Sequence, residues 1–328
     1  MHRVSIVTPV YQGARSLPAL AEEVAALTTP VTTPDGHTFV VTEWLLVHDN
    51  GPDNSADVIA ELATRHDVVR PVWLSRNYGQ HPATLAGMAS SNGDWIVTLD
   101  EDGQHDPADI SLFLDRALDL NAQLVYANPT NEAPHGFVRN SLSKAAKWVF
   151  ATFLAGGAVQ TFQSYRLIVG ELGRSVAAYA GSGVYLDVAL GWVVDRIGHV
   201  DVEMRDEGDR QSGYTMRRLL SHFWRLVLSS GTRGLRTVSW LGVLFGVLGV
   251  GVAVYLLIAN SLNADTPQGW TSTMVAVLLS TGAILFALGV IAEYVGVAVS
   301  MAMGKPPYLI VSDPAAGPLG RRRGPVGS

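Results

Sequence analysis

The sequence contains no cysteine, which excludes disulfides, thiolate metal sites, iron–sulfur clusters and a cysteine nucleophile. Any metal must therefore bind to oxygen or imidazole ligands. Charged residues are also scarce, at 16% of 328 residues, against about 25% in a typical soluble domain. Neither a GxGxxG fingerprint after the first predicted strand nor a GxxxxGK[ST] phosphate loop is present, so two common glycine-rich nucleotide sites are excluded.

Charge is divided unevenly along the chain. Residues 1–215 carry 14 lysines and arginines against 26 acidic residues, a net charge of −12, whereas residues 216–328 carry 9 against 3, a net charge of +6. An acidic first part is poorly suited to nucleic acid, because that binding depends on neutralising phosphates with lysine and arginine. We therefore expect no nucleic-acid partner. A basic and apolar second part suits a membrane surface.

Two long runs without charged residues lie in the second part. Thr237–Ala264 has 28 such residues and Thr266–Ala292 has 27. Each run can form a helix that crosses the roughly 30 Å hydrocarbon layer of a bilayer. Buried helices of a soluble core are the alternative, but these runs have no polar face. The sequence predicts two membrane-spanning helices within residues 237–303.

Basic residues flank the two predicted spans on their outer sides. Arg233 and Arg236 precede the first span, Lys305 follows the second, and the connecting loop has no basic residue. By the positive-inside rule both ends face the cytoplasm of a multi-pass protein of the cell membrane. The first residues lack the apolar segment of a signal peptide. We therefore expect residues 1–213 to form a cytosolic domain and residues 304–328 a cytosolic tail.

Residues 214–236 connect the two parts. In Tyr214–Ser230 an apolar helical face carries Leu219, Leu220 and Phe223, while arginines lie mostly elsewhere. This pattern predicts an interfacial amphipathic helix in the headgroup layer, with a helix of the domain core as the alternative.

Strand-like and helix-like runs alternate along the first 130 residues. Strands are expected at 4–10, 44–47, 72–74, 95–99 and 124–126, and helices at 17–27, 55–63, 81–89 and 107–118. The alternation predicts an α/β, Rossmann-like domain with a parallel sheet and helices on both faces. Such sheets bind ligands beyond the carboxyl ends of their strands. Asp49 stands at one such end, as a ligand acceptor or as an ordinary turn former.

An acidic segment, Asp100–Asp106, follows the strand predicted at 95–99. Asp100 and Asp102 leave the strand on the same side, because alternate residues point the same way. Two convergent carboxylates suit Mg²⁺ or Mn²⁺ carrying a nucleotide diphosphate, with an acidic turn as the alternative. Asp106 stands before Pro107, so we expect it to be a helix N-cap.

Several motifs occur together in the order of a known family. Pro9–Tyr11, Asp49, Arg76–His81, Asp100–His105 and Ser212–Thr215 resemble those of the family-2, A-fold glycosyltransferases that act on polyprenyl phosphate. Ala292–Gly296 and Lys305–Ile310 are similar to the closing motif of a subgroup with two C-terminal transmembrane helices. That subgroup includes polyprenyl-phosphate glucosyltransferases and undecaprenyl-phosphate 4-deoxy-4-formamido-arabinose transferases. The resemblance covers about residues 4–311 and implies an A-fold domain followed by a transmembrane hairpin.

The resemblance also implies roles for individual residues. Asp102, with Asp100 beside it, would bind the metal on the donor diphosphate, and Gln104 would lie near the reacting phosphate. Arg166 would face the side of the cleft that the lipid reaches. The nucleotide would be held by Pro9, Tyr11, Asp49 and Asn77. Arg205 and Arg210 are candidates for the positive charge that meets the attacking lipid phosphate, with solvated surface arginines as the alternative.

The implied reaction is transfer of a sugar, with inversion, from a nucleotide diphosphate such as a UDP-sugar to undecaprenyl phosphate. The alternatives are another membrane acceptor, such as a diacylglycerol, and a nucleotide-sugar-binding regulator without turnover. The sequence departs from the family pattern at His48, Gln163, Ser164 and Arg210, which bears on donor choice. A GxxxG pattern at Gly242–Gly246 allows close helix contact within the hairpin or within a homo-oligomer such as a tetramer.

Overall fold

The computed structural model describes residues 1–131, 162–181, 184–205, 269–314 and 316, with isolated helical residues at 247, 249–251, 254 and 258. The chain divides into two compact units. The first comprises residues 1–134, 160–213 and 306–328, and the second comprises residues 135–159 and 214–305.

The first unit is an α/β domain built on a single sheet. Its strands are β1 His2–Val10, β2 Val31–Thr32, β3 Thr38–His48, β4 Val69–Leu74, β5 Trp95–Thr98, β6 Leu124–Pro129, β7 Arg166–Val169, β8 Ile197–Val202 and β9 Ile310–Val311. Its helices are α1 Leu17–Ala25, α2 Ser55–Arg65, α3 Gln80–Ser90, α4 Ile110–Leu120, α5 Gly170–Tyr179 and α6 Leu186–Val193, with a 3-10 turn at Pro107–Asp109 before α4. The strand order is β8-β6-β7-β5-β1-β3-β4-β9, and β2 pairs with β3.

The parallel pairing expected from the first 130 residues is found among β1, β3, β4 and β5, but the sheet as a whole is mixed, because β2, β7 and β9 run antiparallel to their neighbours. β1 runs parallel to β3 and β5, β3 to β4, and β6 to β8. β7 runs antiparallel between β5 and β6, and β9 runs antiparallel to β4. Parallel neighbours need a crossover unit such as the strand–helix alternation of the first 130 residues, and β7 and β9 lie beyond that alternation.

Helices cover both faces of the sheet, as the sequence predicts. In β1 and β3, Val4, Ile6, Trp44 and Leu46 belong to the core cluster that includes residues of α1, α2 and α4. Alternate residues such as Val7 and Leu45 belong to the other cluster, with residues of α3, α5 and α6. The alternation follows from the two-residue period of a strand. Burial on both faces explains why β1 reads as an almost continuous apolar run.

Local sequence signals set the helix boundaries. In α1, Leu17, Leu20, Ala21 and Val24 are buried, which is the spacing of one helical face. α4 ends at Leu120 and is followed by Asn121, whose φ of 50° is the left-handed conformation common at helix ends. β3 begins at Thr38, before the expected start at 44, because a turn with Gly36 at φ +87° joins it to β2.

The second unit, in its described part, contains the helix α7, Trp270–Ala302. Its segment Ser280–Val299 has a mean hydropathy of 2.1, and only 6% of its most apolar window is buried. Within the described part of the chain it is the one helix long and apolar enough to cross a membrane. The first predicted span lies outside the described residues apart from the isolated helical positions, and the predicted amphipathic helix lies outside them entirely.

Candidate functional site

The loops that follow β1 and β5 meet at the carboxyl end of the parallel strands. The backbone N–H groups of Tyr11 and Gln12 donate to the carboxylate of Glu101 at 2.8 and 3.0 Å. Ser16, at the start of α1, donates through its hydroxyl to the carbonyl of Glu101. Glu101 therefore holds the two loops together. Sequence reasoning missed this role, because its partners Tyr11 and Gln12 lie about 90 residues away in the chain.

Asp49 follows β3 and lies beneath the loop after β4. Its two carboxylate oxygens accept hydrogen bonds from the backbone N–H groups of Tyr78 and Gly79, both at 2.7 Å. Only 3% of Asp49 is exposed. Burial raises the pKa of its carboxyl, although the two N–H donors act in the opposite direction. Asp49 thus fixes the loop that carries the exposed Asn77.

The other residues predicted to hold a nucleotide stand next to Asp49. Pro9 pairs with Val47 in the β1–β3 register, and Tyr11, just beyond β1, is 40% exposed. A Cβ atom at Gly51 would lie 1.7 Å from the carbonyl oxygen of Tyr11. The loops after β1 and β3 are therefore in backbone contact, and only glycine fits at position 51.

The carboxylate of Asp100 is held from two sides. The side-chain amide of Gln80, at the start of α3, donates to Oδ1 at 2.7 Å, and the hydroxyl of Ser164 donates to Oδ2. Asp102 stands in the same loop, and its Oδ1 accepts the N–H of Gln104 at 3.0 Å. Gly103 between them has a φ of +77°, which favours glycine. The chain thus places Asp100, Asp102 and Gln104 in one tight turn.

The acidic loop rests on a buried aromatic pair. The N–H of Asp100 donates to Nδ1 of His105 at 3.0 Å, so this nitrogen acts as an acceptor. His105 stacks on Tyr165 with ring centroids 4.7 Å apart, and burial lowers the pKa of His105. The expected N-cap is confirmed: Asp106 accepts the N–H of Ala108 at 2.9 Å. Sequence reasoning had given His105 no role.

The acidic loop carries carboxylate oxygens, which are the kind of ligand that a divalent cation such as Mg²⁺ prefers. Within the described residues, no three His, Cys, Asp or Glu side chains form a metal site by themselves. Magnesium commonly binds through one or two carboxylates together with substrate phosphates and water. The carboxylates of Asp100 and Asp102 fit a cation that enters with a diphosphate.

Arg205 follows β8 and contacts the acidic loop directly. Its backbone N–H donates to the carbonyl of Gln104 at 3.0 Å. Its guanidinium pairs with Asp106 at 2.7 Å and with Glu23 of α1 at 2.8 Å. The structure therefore brings Arg205 next to Gln104. The other predicted arginine, Arg210, lies outside the described residues.

Comparison with known proteins places the chain in a family. Residues 5–169 match the sequence profile of glycosyl transferase family 2. The chain belongs to glycosyl transferase family 2. It is 30% identical over 333 residues to the undecaprenyl-phosphate 4-deoxy-4-formamido-L-arabinose transferase of Pseudomonas fluorescens, with 95% of this chain and 92% of the relative covered.

Further similarities of this family 2 glycosyltransferase extend over most of the chain. The enzyme of the same name from Serratia proteamaculans is 26% identical, with 94% of this chain and 93% of the relative covered. Among solved structures, a mycobacterial protein is 16% identical and superposes with a TM-score of 0.50, covering 71% of this chain and 74% of that one. That structural likeness supports the fold, and the family confirms that the chain is an enzyme.

One expectation for the family 2 glycosyltransferase is wrong. Arg166 was expected to face the cleft, yet it is only 3% exposed. Its guanidinium pairs with Asp187 of α6, which also accepts a 2.9 Å hydrogen bond from the hydroxyl of Tyr126. Its Nε donates to Thr98 at 3.2 Å. The charge of Arg166 is therefore compensated inside the domain, because a buried ion must be paired.

His48, the last residue of β3, departs from the family pattern and is buried. Its ring meets Trp73 edge to face at a centroid distance of 5.4 Å. Burial lowers the pKa of His48, and in the described part of the chain Nε2 has no hydrogen-bond partner. His48 thus occupies an apolar position where an acidic residue would be costly.

Proposed function

We propose that this family 2 glycosyltransferase transfers a sugar from a UDP-sugar to undecaprenyl phosphate and produces a polyprenyl-phosphate sugar with inversion. The similarity to undecaprenyl-phosphate sugar transferases over 95% of the chain supports the acceptor class. The single observation that carries the proposal is the combination of a carboxylate loop, held by Gln80 and Ser164, with an apolar helix that is hardly buried. The carboxylate loop suits a water-soluble activated sugar, and the apolar helix suits a lipid.

In this proposal the nucleotide binds above β1 and β3. Pro9 and Tyr11 come from the end of β1, Asp49 from the end of β3, and Asn77 from the loop that Asp49 anchors. Ligands of α/β sheets bind beyond the carboxyl ends of the strands, and these residues lie there.

Asp100 and Asp102 would hold Mg²⁺ or Mn²⁺ together with the donor diphosphate. When bound, the cation supplies positive charge that stabilises the leaving diphosphate. Gln80 and Ser164 fix the orientation of Asp100, so little reorganisation is needed when a donor binds. Gln104, one turn away, is proposed to lie near the reacting phosphate.

The acceptor needs no strong general base. A phosphate monoester has a second pKa of about 6 and is anionic at neutral pH. An oxygen of the lipid phosphate attacks the anomeric carbon, the bond from that carbon to the diphosphate oxygen breaks, and the nucleoside diphosphate leaves. Arg205 and Arg210 are proposed to supply positive charge for the attacking phosphate. The backbone of Arg205 lies beside Gln104, and its guanidinium is paired with Glu23 and Asp106.

The membrane arrangement is also a proposal. Residues 1–213 form the cytosolic glycosyltransferase domain, residues 214–236 an interfacial helix, residues 237–303 two transmembrane helices and residues 304–328 a cytosolic tail. Single cysteines can test α7, since the chain has no native cysteine. We expect Met303→Cys and Gly269→Cys to react with a membrane-impermeant maleimide from opposite sides. Labelling from the same side would contradict a crossing by α7.

The proposed reaction is tested with the purified full-length protein in detergent. The protein is incubated with Mn²⁺, undecaprenyl phosphate and, separately, several UDP-sugars and a GDP-sugar, and a charged glycolipid is sought by mass spectrometry. We expect a product with a UDP-sugar and none when EDTA replaces Mn²⁺. A product formed only when diacylglycerol replaces the lipid phosphate would contradict the acceptor. Binding of UDP without any product would indicate a non-catalytic regulator.

A further inference from the structure

The short strand β9, which follows α7 in the chain, pairs with β4, and β4 leads directly into residues 75–79. β9 pairs with β4 only at the last two residues of β4, with Trp73 opposite Val311 and Leu74 opposite Ile310. The ladder continues one residue further, because the N–H of Ser75 donates to the carbonyl of Leu309 at 3.0 Å. The donor loop, defined here as residues 75–79, therefore begins with its first residue bound to the C-terminal segment.

A short chain of contacts links that first residue to Asp49. The hydroxyls of Ser75 and Tyr78 share a hydrogen bond at 2.8 Å. The N–H groups of Tyr78 and Gly79 donate to Asp49. The carbonyl of Leu309 and the carboxylate of Asp49 thus hold the two ends of a loop whose residues 75–77 are exposed.

Packing adds to these hydrogen bonds. Tyr308 is partly buried against the core cluster that contains Leu74, and Tyr78 packs against the same cluster. The guanidinium of Arg76 lies 4.5 Å from the ring centroid of Tyr78, within the range of a cation–π contact. The side chains of Leu309 and Ile310 are 52% and 43% exposed, so at these two positions the backbone is the main point of attachment.

We infer that Tyr308 and Leu309 are positioning residues for donor binding, and that they act by bracing the donor loop against Asp49. The inference rests on the proposed function in assigning this loop to the donor. A loop that is ordered before binding loses less conformational entropy when the ligand arrives. The brace should therefore affect the affinity for the donor and leave the acceptor and the chemical step unchanged.

In an antiparallel strand the backbone N–H groups of successive residues point alternately toward and away from the partner strand. Substitutions at positions 309 and 310 therefore form a matched pair. Because the N–H of Ser75 donates to the carbonyl of Leu309, residue 309 directs its backbone N–H and carbonyl toward Ser75, whereas the N–H of Ile310 points away from β4. Proline at 309 keeps the carbonyl that accepts from Ser75 but directs its ring, in place of the N–H, toward that residue, so it should push the segment away from β4. Proline at 310 removes an outward N–H and is tolerated on an edge. Leu309→Pro and Ile310→Pro both remove an exposed aliphatic side chain and differ in their effect on the brace.

The first readout is independent of activity. Trypsin cleaves after Arg76, which is exposed in the donor loop. In the full-length protein without ligand, we expect cleavage after Arg76 to be about tenfold faster in Leu309→Pro than in Ile310→Pro. Equal rates of cleavage after Arg76 in the two variants would overturn the inference that the C-terminal segment holds the donor loop. This conclusion does not depend on which reaction the enzyme catalyses.

The second readout concerns the donor. We expect Leu309→Pro to raise the Kd for UDP with Mn²⁺ and the KM for the UDP-sugar about tenfold. The kcat and the KM for undecaprenyl phosphate should stay within twofold of the wild type, and Ile310→Pro should resemble the wild type throughout. A fall in kcat with unchanged donor affinity would contradict the inference. A wild type that neither binds UDP nor forms product contradicts the proposed function, while the trypsin result still decides on the brace.

Two variants of Tyr308 test the same inference if Leu309→Pro does not fold. Tyr308→Ala removes the packing of the brace and is expected to raise the Kd for UDP severalfold, whereas Tyr308→Phe keeps the ring and should bind UDP as the wild type does. Equal UDP affinity in these two variants would remove Tyr308 from the brace.

Discussion

The backbone N–H of Arg205 donates to the carbonyl of Gln104 at 3.0 Å, and this bond ties the end of β8 to the acidic loop after β5. The same residue places its guanidinium between the carboxylates of Glu23 and Asp106. A residue about a hundred positions further along the chain is thus fixed against the loop that is proposed to carry the chemistry. Its charge is held in one orientation by acidic partners, because a planar guanidinium binds carboxylates directionally.

Arg205→Gln tests the proposed contact with the lipid phosphate. We expect the KM for undecaprenyl phosphate to rise about tenfold, which corresponds to about 1.4 kcal/mol, while the KM for the UDP-sugar stays within about twofold. Arg65→Gln is the matched control, since Arg65 forms an exposed pair with Glu61 on α2 and should have no effect. An unchanged KM for the lipid phosphate would exclude Arg205 from acceptor binding.

Asp102→Asn tests the metal assignment. We expect transfer to fall by at least about a hundredfold, because an amide oxygen is a weaker ligand for a hard cation than a carboxylate. Electron paramagnetic resonance should show weaker Mn²⁺ binding in the presence of UDP, and the melting temperature should be little changed. The control is Asp67→Asn, at an exposed position. Full activity of Asp102→Asn would remove this residue from the site.

Asp49→Asn tests the anchor of the donor loop. The amide keeps one acceptor oxygen and presents an NH₂ group to the second backbone donor, so one of the two 2.7 Å bonds to Tyr78 and Gly79 is lost. We expect the Kd for UDP, measured by calorimetry, to rise at least about tenfold. Asp57→Asn, at an exposed position in α2, should bind UDP as the wild type does. Unchanged affinity in Asp49→Asn would contradict the anchor.

The fold could be predicted where local periodicity is strong. The end of β1 at Val10 and the start of α2 at Ser55 agree with the sequence, because apolar spacing and turn residues determine them locally. The direction of β7 could not be predicted. Arg166–Val169 is a short apolar strand whose direction depends on its neighbours β5 and β6. β9 has only two residues and exists through its pairing with β4.

The same distinction applies to the site. Asp49, Asp100 and Asp102 stand where predicted strands end, so a sequence pattern was sufficient to select them. Glu101, His105 and Ser164 were given no role, because each acts through a partner that folding brings close. Ser164, for example, reaches Asp100 across 64 residues of chain. The burial of Arg166 was missed for the same reason, since its partner Asp187 lies in α6.

The buried pair of Arg166 and Asp187 provides a stability prediction. Asp187→Asn leaves the guanidinium of Arg166 buried without a counter-charge, and we expect a loss of about 3–5 kcal/mol in the free energy of unfolding. The double variant Arg166→Met/Asp187→Leu should recover most of that loss, since it removes both charges. Denaturant unfolding of the detergent-solubilised protein measures the free energy of unfolding of the single and the double variant. Arg116→Met, in an exposed pair with Asp119, is the control, with about 0–1 kcal/mol expected.

Asp109 provides a pH prediction. Burial, followed by the negative charge of Asp106, raises the pKa of Asp109 to about 6. Between about pH 4 and 6 the folded protein keeps a proton that the unfolded chain has lost, so the free energy of unfolding decreases as the pH rises. Asp109→Asn should therefore melt at a higher temperature than the wild type above pH 6 and at a similar temperature near pH 4. A melting difference that does not change with pH would contradict the raised pKa.

The position of β9 at the end of the chain has a consequence for biosynthesis. The ribosome makes residues 75–79 early and residues 310–311 only after the whole of α7, Trp270–Ala302, and domains fold as they emerge. The strands up to β8 can pair while translation continues. The edge of β4 can pair with β9 only after α7 has left the ribosome. We therefore expect the proposed nucleotide pocket to be completed only after the hydrophobic part of the protein has been synthesised.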